Sequence, residues 1–401
     1  MAAKSSEKGR KKPPILQKPR FSLFGIPFFP YFCNQHMKIL LLGDYSNVHW
    51  TLGQGLRALG HDVCVASDGD NWKNYPRDID LKRPSMGRLS SLRYYIGLWR
   101  QFRRFRGYDV VQLINPVFLP LKAQRIKPFY QFLRRHNKKV YLGAFGMDHY
   151  WVRTCLDGTT FRYSDFNLGS QIRHSQENDT WIANWLNGPK GRLNCRVAQD
   201  CDGIVSGLYE YHMCYMPHYP EKTQFIPFPI DIRQRQPRVR QSDGSVHFFI
   251  GIQRQRNAYK GTDIMLRALE RLQSSYPTRV VTEKAESVPF EQYCRMMDDS
   301  HVLLDQLYSY TPAMNALMAM AQGLVVVGGG EPEAYDLLGD TDLRPVVNVL
   351  PHEDSVYDAL EQLVLHPERI EDLSRKSIQY IEKFHDHIKV AQEYLDFWNK
   401  A

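Results

Sequence analysis

Two successive trains of short apolar runs, each followed by a helical period, set what this chain of 401 residues can fold into. The first opens at Met37-Lys-Ile-Leu-Leu-Leu-Gly43. It shows no polar–apolar alternation, as a parallel strand buried on both faces requires. A helix is expected around 49–59, stopped by Gly60, and then a strand at 61–66. Further strands fit 109–114, 139–143 and 203–206. The second train starts at Val246-His-Phe-Phe-Ile-Gly251 and adds strands at 279–283, 302–305 and 324–328. Between the trains, Phe225-Ile-Pro-Phe-Pro-Ile-Asp231 carries two prolines that cannot donate to a central ladder. Repeated strand–helix–strand units build doubly wound parallel sheets. The expected class is therefore α/β, with two Rossmann-like domains facing a cleft.

The boundaries follow from these breaks. Residues 1–36 read as a disordered basic and aromatic leader, 37–230 as the first domain and 231–245 as a linker. The second domain spans 246–384. Helical periods at about 355–365 and 370–384 lead to a last helix within 385–401, expected to pack back on the first domain. Its Lys389, Tyr394, Phe397 and Trp398 suit that packing or a membrane surface.

Composition narrows the class further. The seven cysteines form no CxxC pair and no Cys/His cluster, which favours reduced thiols in the cytoplasm over a disulfide framework. No apolar run approaches the ~20 residues of a membrane span, and the leader lacks an unbroken signal-peptide core. The net charge is +9, and residues 1–20 hold seven basic groups against one acid. Nucleic-acid binding is not expected, because the basic excess is assigned to that arm. The arm is a candidate for touching an anionic membrane surface.

Ligands of open α/β sheets sit beyond the carboxyl ends of the strands, so the loops after the strands hold the candidate chemistry. Gly53-Gln-Gly55 lies inside a helix rather than in a strand-to-helix turn, so it reads as close packing and not as a dinucleotide fingerprint. The loop Gly251-Ile-Gln-Arg254-Gln-Arg256-Asn-Ala-Tyr-Lys260-Gly261 stands between a strand and a helix. Such a loop offers a diphosphate both cations and free helix amides. The stretch Asp305–Gly323 has Pro312 at a helix start and open amides at Thr311–Met314. Gly328-Gly-Gly-Glu331-Pro-Glu333 lets a ligand lie against the backbone, with two acids placed to accept from hydroxyls.

In that order these stretches resemble the donor domain of family 4-type glycosyltransferases. The resemblance implies a GT-B fold, a nucleoside-diphosphate-sugar donor, retention of configuration and no metal or other cofactor. It implies that Arg256 (or Arg254) and Lys260 contact the diphosphate. The Thr311–Ala313 backbone and Glu331 or Glu333 would hold sugar and nucleotide. The family carries two glutamates eight residues apart here, whereas this chain has Tyr310 and Met318. Glu331, Glu333, Asp305 or Ser309 then has to substitute, or donor binding differs, or activity is lost. The expected reaction is sugar transfer to a glycan or lipid-linked acceptor hydroxyl, in envelope polysaccharide or glycoconjugate synthesis. A non-catalytic partner subunit and a nucleotide-sugar epimerase are the alternatives.

The first domain should supply the acceptor side and a base. Gly143-Ala-Phe-Gly-Met-Asp148-His149 follows a strand, and either Asp148 or His149 is the candidate. Gly43, Asp44, Ser46 and Asn47 can border the acceptor. The segment 152–200, with Trp181 and Trp185, carries no recognisable motif.

Overall fold

A computed structural model describes residues 36–70, 73–85, 87–233, 243–253, 257–286 and 288–400. The strands of the first lobe are β1 (Lys38–Leu42), β2 (Asp62–Ser67), β3 (Ile79–Asp80), β4 (Val110–Leu113) and β5 (Lys139–Ala144). A short antiparallel hairpin, β6 (Asn167–Leu168) with β7 (Gln171–Ile172), stands apart from them. β8 (Gly203–Ser206) and β9 (Thr223–Phe225) complete the lobe. Seven of these strands form one parallel sheet in the order β3-β2-β1-β4-β5-β8-β9. The order reverses direction beside β1, so β1 and β4 diverge at a topological switch point.

The second lobe holds β10 (Val246–Ile252), β11 (Val280–Glu286), β12 (Val302–Leu304), β13 (Val325–Gly328) and β14 (Val347–Asn348). They form a parallel sheet in the order β11-β10-β12-β13-β14. The central strands of both sheets are almost wholly buried and mostly apolar. The two doubly wound lobes match the expectation from the sequence. The proposed linker falls largely outside the described residues, since 234–242 are among those left out.

The last helix, His387–Lys400, returns to the first lobe and packs on the helix Val48–Ala58. Gly55 makes this possible: a Cβ there would stand 2.2 Å from the His387 carbonyl oxygen. The GxG of the first helix thus serves packing. Tyr394 and Trp398 are buried, and the Trp398 carbonyl accepts from Lys139 Nζ at 3.2 Å and from the Tyr141 hydroxyl at 3.2 Å. These aromatic groups are spent inside the fold and are not available to a membrane. No helix among the described residues is long and apolar enough to cross one.

Candidate functional site

The carboxyl ends of both sheets face each other, and a cavity of about 140 Å³ lies between the lobes. The first lobe supplies Ser46, Lys73 and Tyr75, from the loops after β1 and β2. The second supplies Ile252 after β10, Tyr293, and Asn315 with Met318 on the helix Met314–Ala321. Gly251 is small for a reason, because a Cβ there would stand 2.6 Å from the Tyr293 ring. The Tyr293 hydroxyl donates to Asn315 Oδ1 at 3.0 Å, and Asn315 Nδ2 donates to Asp305 Oδ1 at 2.8 Å. Burial raises the Asp305 carboxyl, and Lys260 opposes that rise.

The first-lobe rim is a small charged knot. Lys73 Nζ donates to Asp70 Oδ2 at 2.6 Å and to Ser46 Oγ at 3.2 Å, and the Ser46 amide donates to Asp70 Oδ2 at 3.0 Å. Ser46, Asn47, Asp70 and Asn74 are the non-glycine residues with positive φ among the described residues, and all four lie in the loops after β1 and β2. Strain held in loops at a cleft is a recurrent feature of binding sites. Asp44, fully buried at the end of β1, accepts the amides of His49 at 3.0 Å and Trp50 at 3.3 Å. Burial pushes its carboxyl up to about 8 despite those two bonds.

A second interlobe contact lies over the loops after β12 and β13. Glu210, 2% exposed, accepts the amides of Tyr310 at 2.6 Å and Thr311 at 3.1 Å, and the Thr311 hydroxyl at 2.7 Å. Arg162 Nη2 donates to Glu331 Oε2 at 2.7 Å, and its Nη1 donates to Glu333. The Tyr163 hydroxyl donates to Glu331, and the Arg162 amide donates to the Tyr310 hydroxyl at 2.7 Å. Arg173 lays its guanidinium 3.4 Å from the Tyr308 ring centre and donates to the Ala258 carbonyl at 2.6 Å. The segment 159–173, unreadable in the sequence, therefore reaches across to the second lobe.

The candidates from the sequence fall in different places. Thr311, Glu331 and Glu333 come together, but each is engaged by a first-lobe side chain. Tyr310 belongs to the same contact, while Met318 lines the cavity. Lys260 ends the short helix Asn257–Lys260 near Asp305, and Ser309 is buried against Gly329, where a Cβ would stand 1.9 Å from the Ser309 carbonyl oxygen. Arg254 and Arg256 lie outside the described residues.

The Asp148–His149 pair needs correction. Asp148 is a buried helix N-cap that accepts the Trp151 amide at 2.9 Å and the Tyr215 hydroxyl at 2.5 Å. Burial pushes it up to about 6. With both oxygens bonded inside the first lobe, it presents no base to the cleft. His149 Nδ1 meets the Trp185 carbonyl at 2.9 Å, and its hydrogen bond with Cys195 raises the imidazole and lowers the thiol. It too is held within the lobe. The groups sequence reasoning missed are Lys73, Arg162, Arg173 and Glu210.

Comparison with solved structures decides the architecture. Sucrose-phosphate synthase from Thermosynechococcus elongatus superposes with a TM-score of 0.59 at 13% identity, over 90% of this chain and 98% of that one. Anabaena HepE in complex with UDP-glucose gives 0.55 at 12% identity, over 91% and 100%. The chain has a GT-B fold. The GT-B neighbours include an epimerase as well: UDP-GlcNAc 2-epimerase from Neisseria meningitidis, bound to UDP-GlcNAc, gives 0.51 at 13% identity, over 91% and 100%. At these identities the GT-B likeness establishes the fold and nothing finer. No family model and no curated protein matches the sequence.

Proposed function

We propose that this GT-B protein is a glycosyltransferase that takes its sugar from a nucleoside diphosphate. The observation that carries the reading is the cavity between the lobes at the carboxyl ends of both sheets, with Lys73 on one wall and Tyr293, Asn315 and Met318 on the other. The nucleoside is read into this cavity. Lys73 and Lys260 neutralise the charge that grows on the leaving diphosphate, which gives the sugar C1 oxocarbenium character. The UDP and UDP-sugar bound by solved neighbours support a donor of this class. Metal independence and retention of configuration are parts of the proposal.

The cavity is smaller than the ~300–1,000 Å³ usual for a small-molecule site. A whole donor needs the space closed off by Glu210 and Arg162, so the reading includes separation of the lobes at that contact and closure over the loaded donor. Closure would exclude water and limit hydrolysis. The acceptor is read into a neighbouring groove of about 630 Å³, lined by Glu177, Trp181, Asn184 and Lys190 of the first lobe and by Ala258 and Tyr259 of the second. Its aromatic and hydrogen-bonding walls suit a sugar ring. A glycan or lipid-linked acceptor, in envelope polysaccharide or glycoconjugate synthesis at the cytoplasmic membrane face, fits this reading.

The test is a panel of nucleotide-sugars screened by thermal shift, followed by assay of nucleoside diphosphate release with and without EDTA. Stabilisation by one donor and release that depends on an acceptor support transfer. The GT-B fold of the epimerase favours one second reading. Release or isomerisation of the sugar with donor alone supports that reading instead.

A further inference from the structure

The helix Arg88–Phe102 has two apolar faces where the fold needs one. Leu98 and Phe102 are buried in the core, and Trp99 stacks on Phe129 of the neighbouring helix Ala123–His136 at 4.2 Å. Away from that seam, Leu89, Leu92 and Ile96 recur at three- and four-residue spacing and are 76%, 57% and 46% exposed. Three aliphatic side chains in one stripe are thus left largely exposed by the packing of this lobe.

Charge surrounds the stripe. Residues 81–108 contain eight lysines and arginines and no acid. Arg88, Arg93, Arg100, Arg103 and Arg104 are exposed, and none is ion-paired to an acidic side chain among the described residues. The adjacent helix extends the basic surface with Arg125 and Lys127. Over residues 81–147 there are fifteen basic residues and one acid, Asp109.

We infer that the helix Arg88–Phe102 docks this protein on an anionic lipid bilayer. The helix lies in the plane of the interface, with Leu89, Leu92 and Ile96 in the acyl boundary and the arginines on headgroup phosphates. Its 15 residues fall short of the ~20 that a span requires, so it rests on the surface rather than crossing. The two components of the patch select the partner. A nucleic acid would use the guanidinium groups and leave the aliphatic stripe bare. A second copy of the chain would cover the stripe but would oppose two sets of arginines with no acid between them.

The test is co-sedimentation of the full chain with phosphatidylglycerol–phosphatidylcholine vesicles and with phosphatidylcholine vesicles. The leader at 1–36 is kept in every sample, so that its charge is constant. Wild type is expected to bind the mixed vesicles, with binding weakened by salt, and to stay in solution with phosphatidylcholine alone. Leu89→Ser/Leu92→Ser/Ile96→Ser is expected to lower partitioning at least tenfold with an unchanged melting temperature, since all three side chains are exposed. Arg93→Ala/Arg100→Ala is expected to lower it severalfold and to flatten the salt dependence. Equal partitioning of the triple variant and wild type overturns the inference, as does equal binding to both vesicle types. So does a triple variant that loses only self-association or only nucleic-acid binding.

Discussion

Glu210 and Thr311 are joined twice across the lobes, through the Thr311 amide at 3.1 Å and the Thr311 hydroxyl at 2.7 Å. The amides that the sequence offers to a donor are therefore engaged by a carboxylate of the protein itself. Hydrogen bonds to a charged group contribute about 1.5–3 kcal/mol each. Burial raises the Glu210 carboxyl, which offsets part of that gain. Glu210→Ala is expected to destabilise the chain by about 2–4 kcal/mol in urea unfolding. In the same variant the freed amides should lower the donor KM.

The Arg162 contact gives stability a pH dependence of one sign. Arg162 holds the Glu333 carboxyl below its ordinary value. That contribution is present above the unfolded carboxyl value and is lost as pH falls through the lower folded value. Arg162 is half exposed, so solvent screening holds the effect to about 1 kcal/mol or less. Wild type should lose this increment on acidification below about pH 5, and Arg162→Ala should not.

Asp44 works in the opposite sense. Burial lifts its carboxyl from 3.8 to about 8. The folded chain thus holds a proton that the unfolded chain releases. Its contribution is complete below the unfolded value and disappears as pH rises to about 8, with a slope of up to about 1.4 kcal/mol per pH unit. Asp44→Asn removes the titrating proton but keeps an acceptor for only one of the His49 and Trp50 amides, because its Nδ2 cannot accept. It should lower stability at acid pH and flatten it between pH 5 and 8, measured by urea unfolding across that range.

Much of the fold was legible because buried parallel strands are continuous apolar runs: Val246–Gly251 became β10 within one residue. The short edge strands β9 and β14, at Thr223–Phe225 and Val347–Asn348, carry too few residues for a period and were not read. The site was less legible. Asp148 follows a strand and precedes a helix, and the same position serves a base in a cleft and an N-cap. Its side-chain bond to the amide three residues on is the ordinary N-cap geometry, which the step from loop to helix signals in sequence. Arg162 and Arg173 meet their partners 169 and 85 residues away, at distances no periodicity reports. The basic helix Arg88–Phe102 was hidden by averaging, because acids in the second lobe offset its charge in the net count.

The groove beside Trp181 bears on acceptor binding alone. Trp181→Ala should raise the acceptor KM about tenfold while leaving donor affinity unchanged, as read by initial rates and by calorimetry. A matching loss in donor affinity would move Trp181 out of the acceptor role.

The proposed donor places its nucleoside diphosphate between the lobes against Lys73. Isothermal titration of the matched nucleoside diphosphate into wild type and Lys73→Ala tests this placement. One site per chain is expected in wild type, and affinity at least tenfold weaker in the variant. Equal affinity in the two proteins, or no binding by any nucleoside diphosphate, would contradict it.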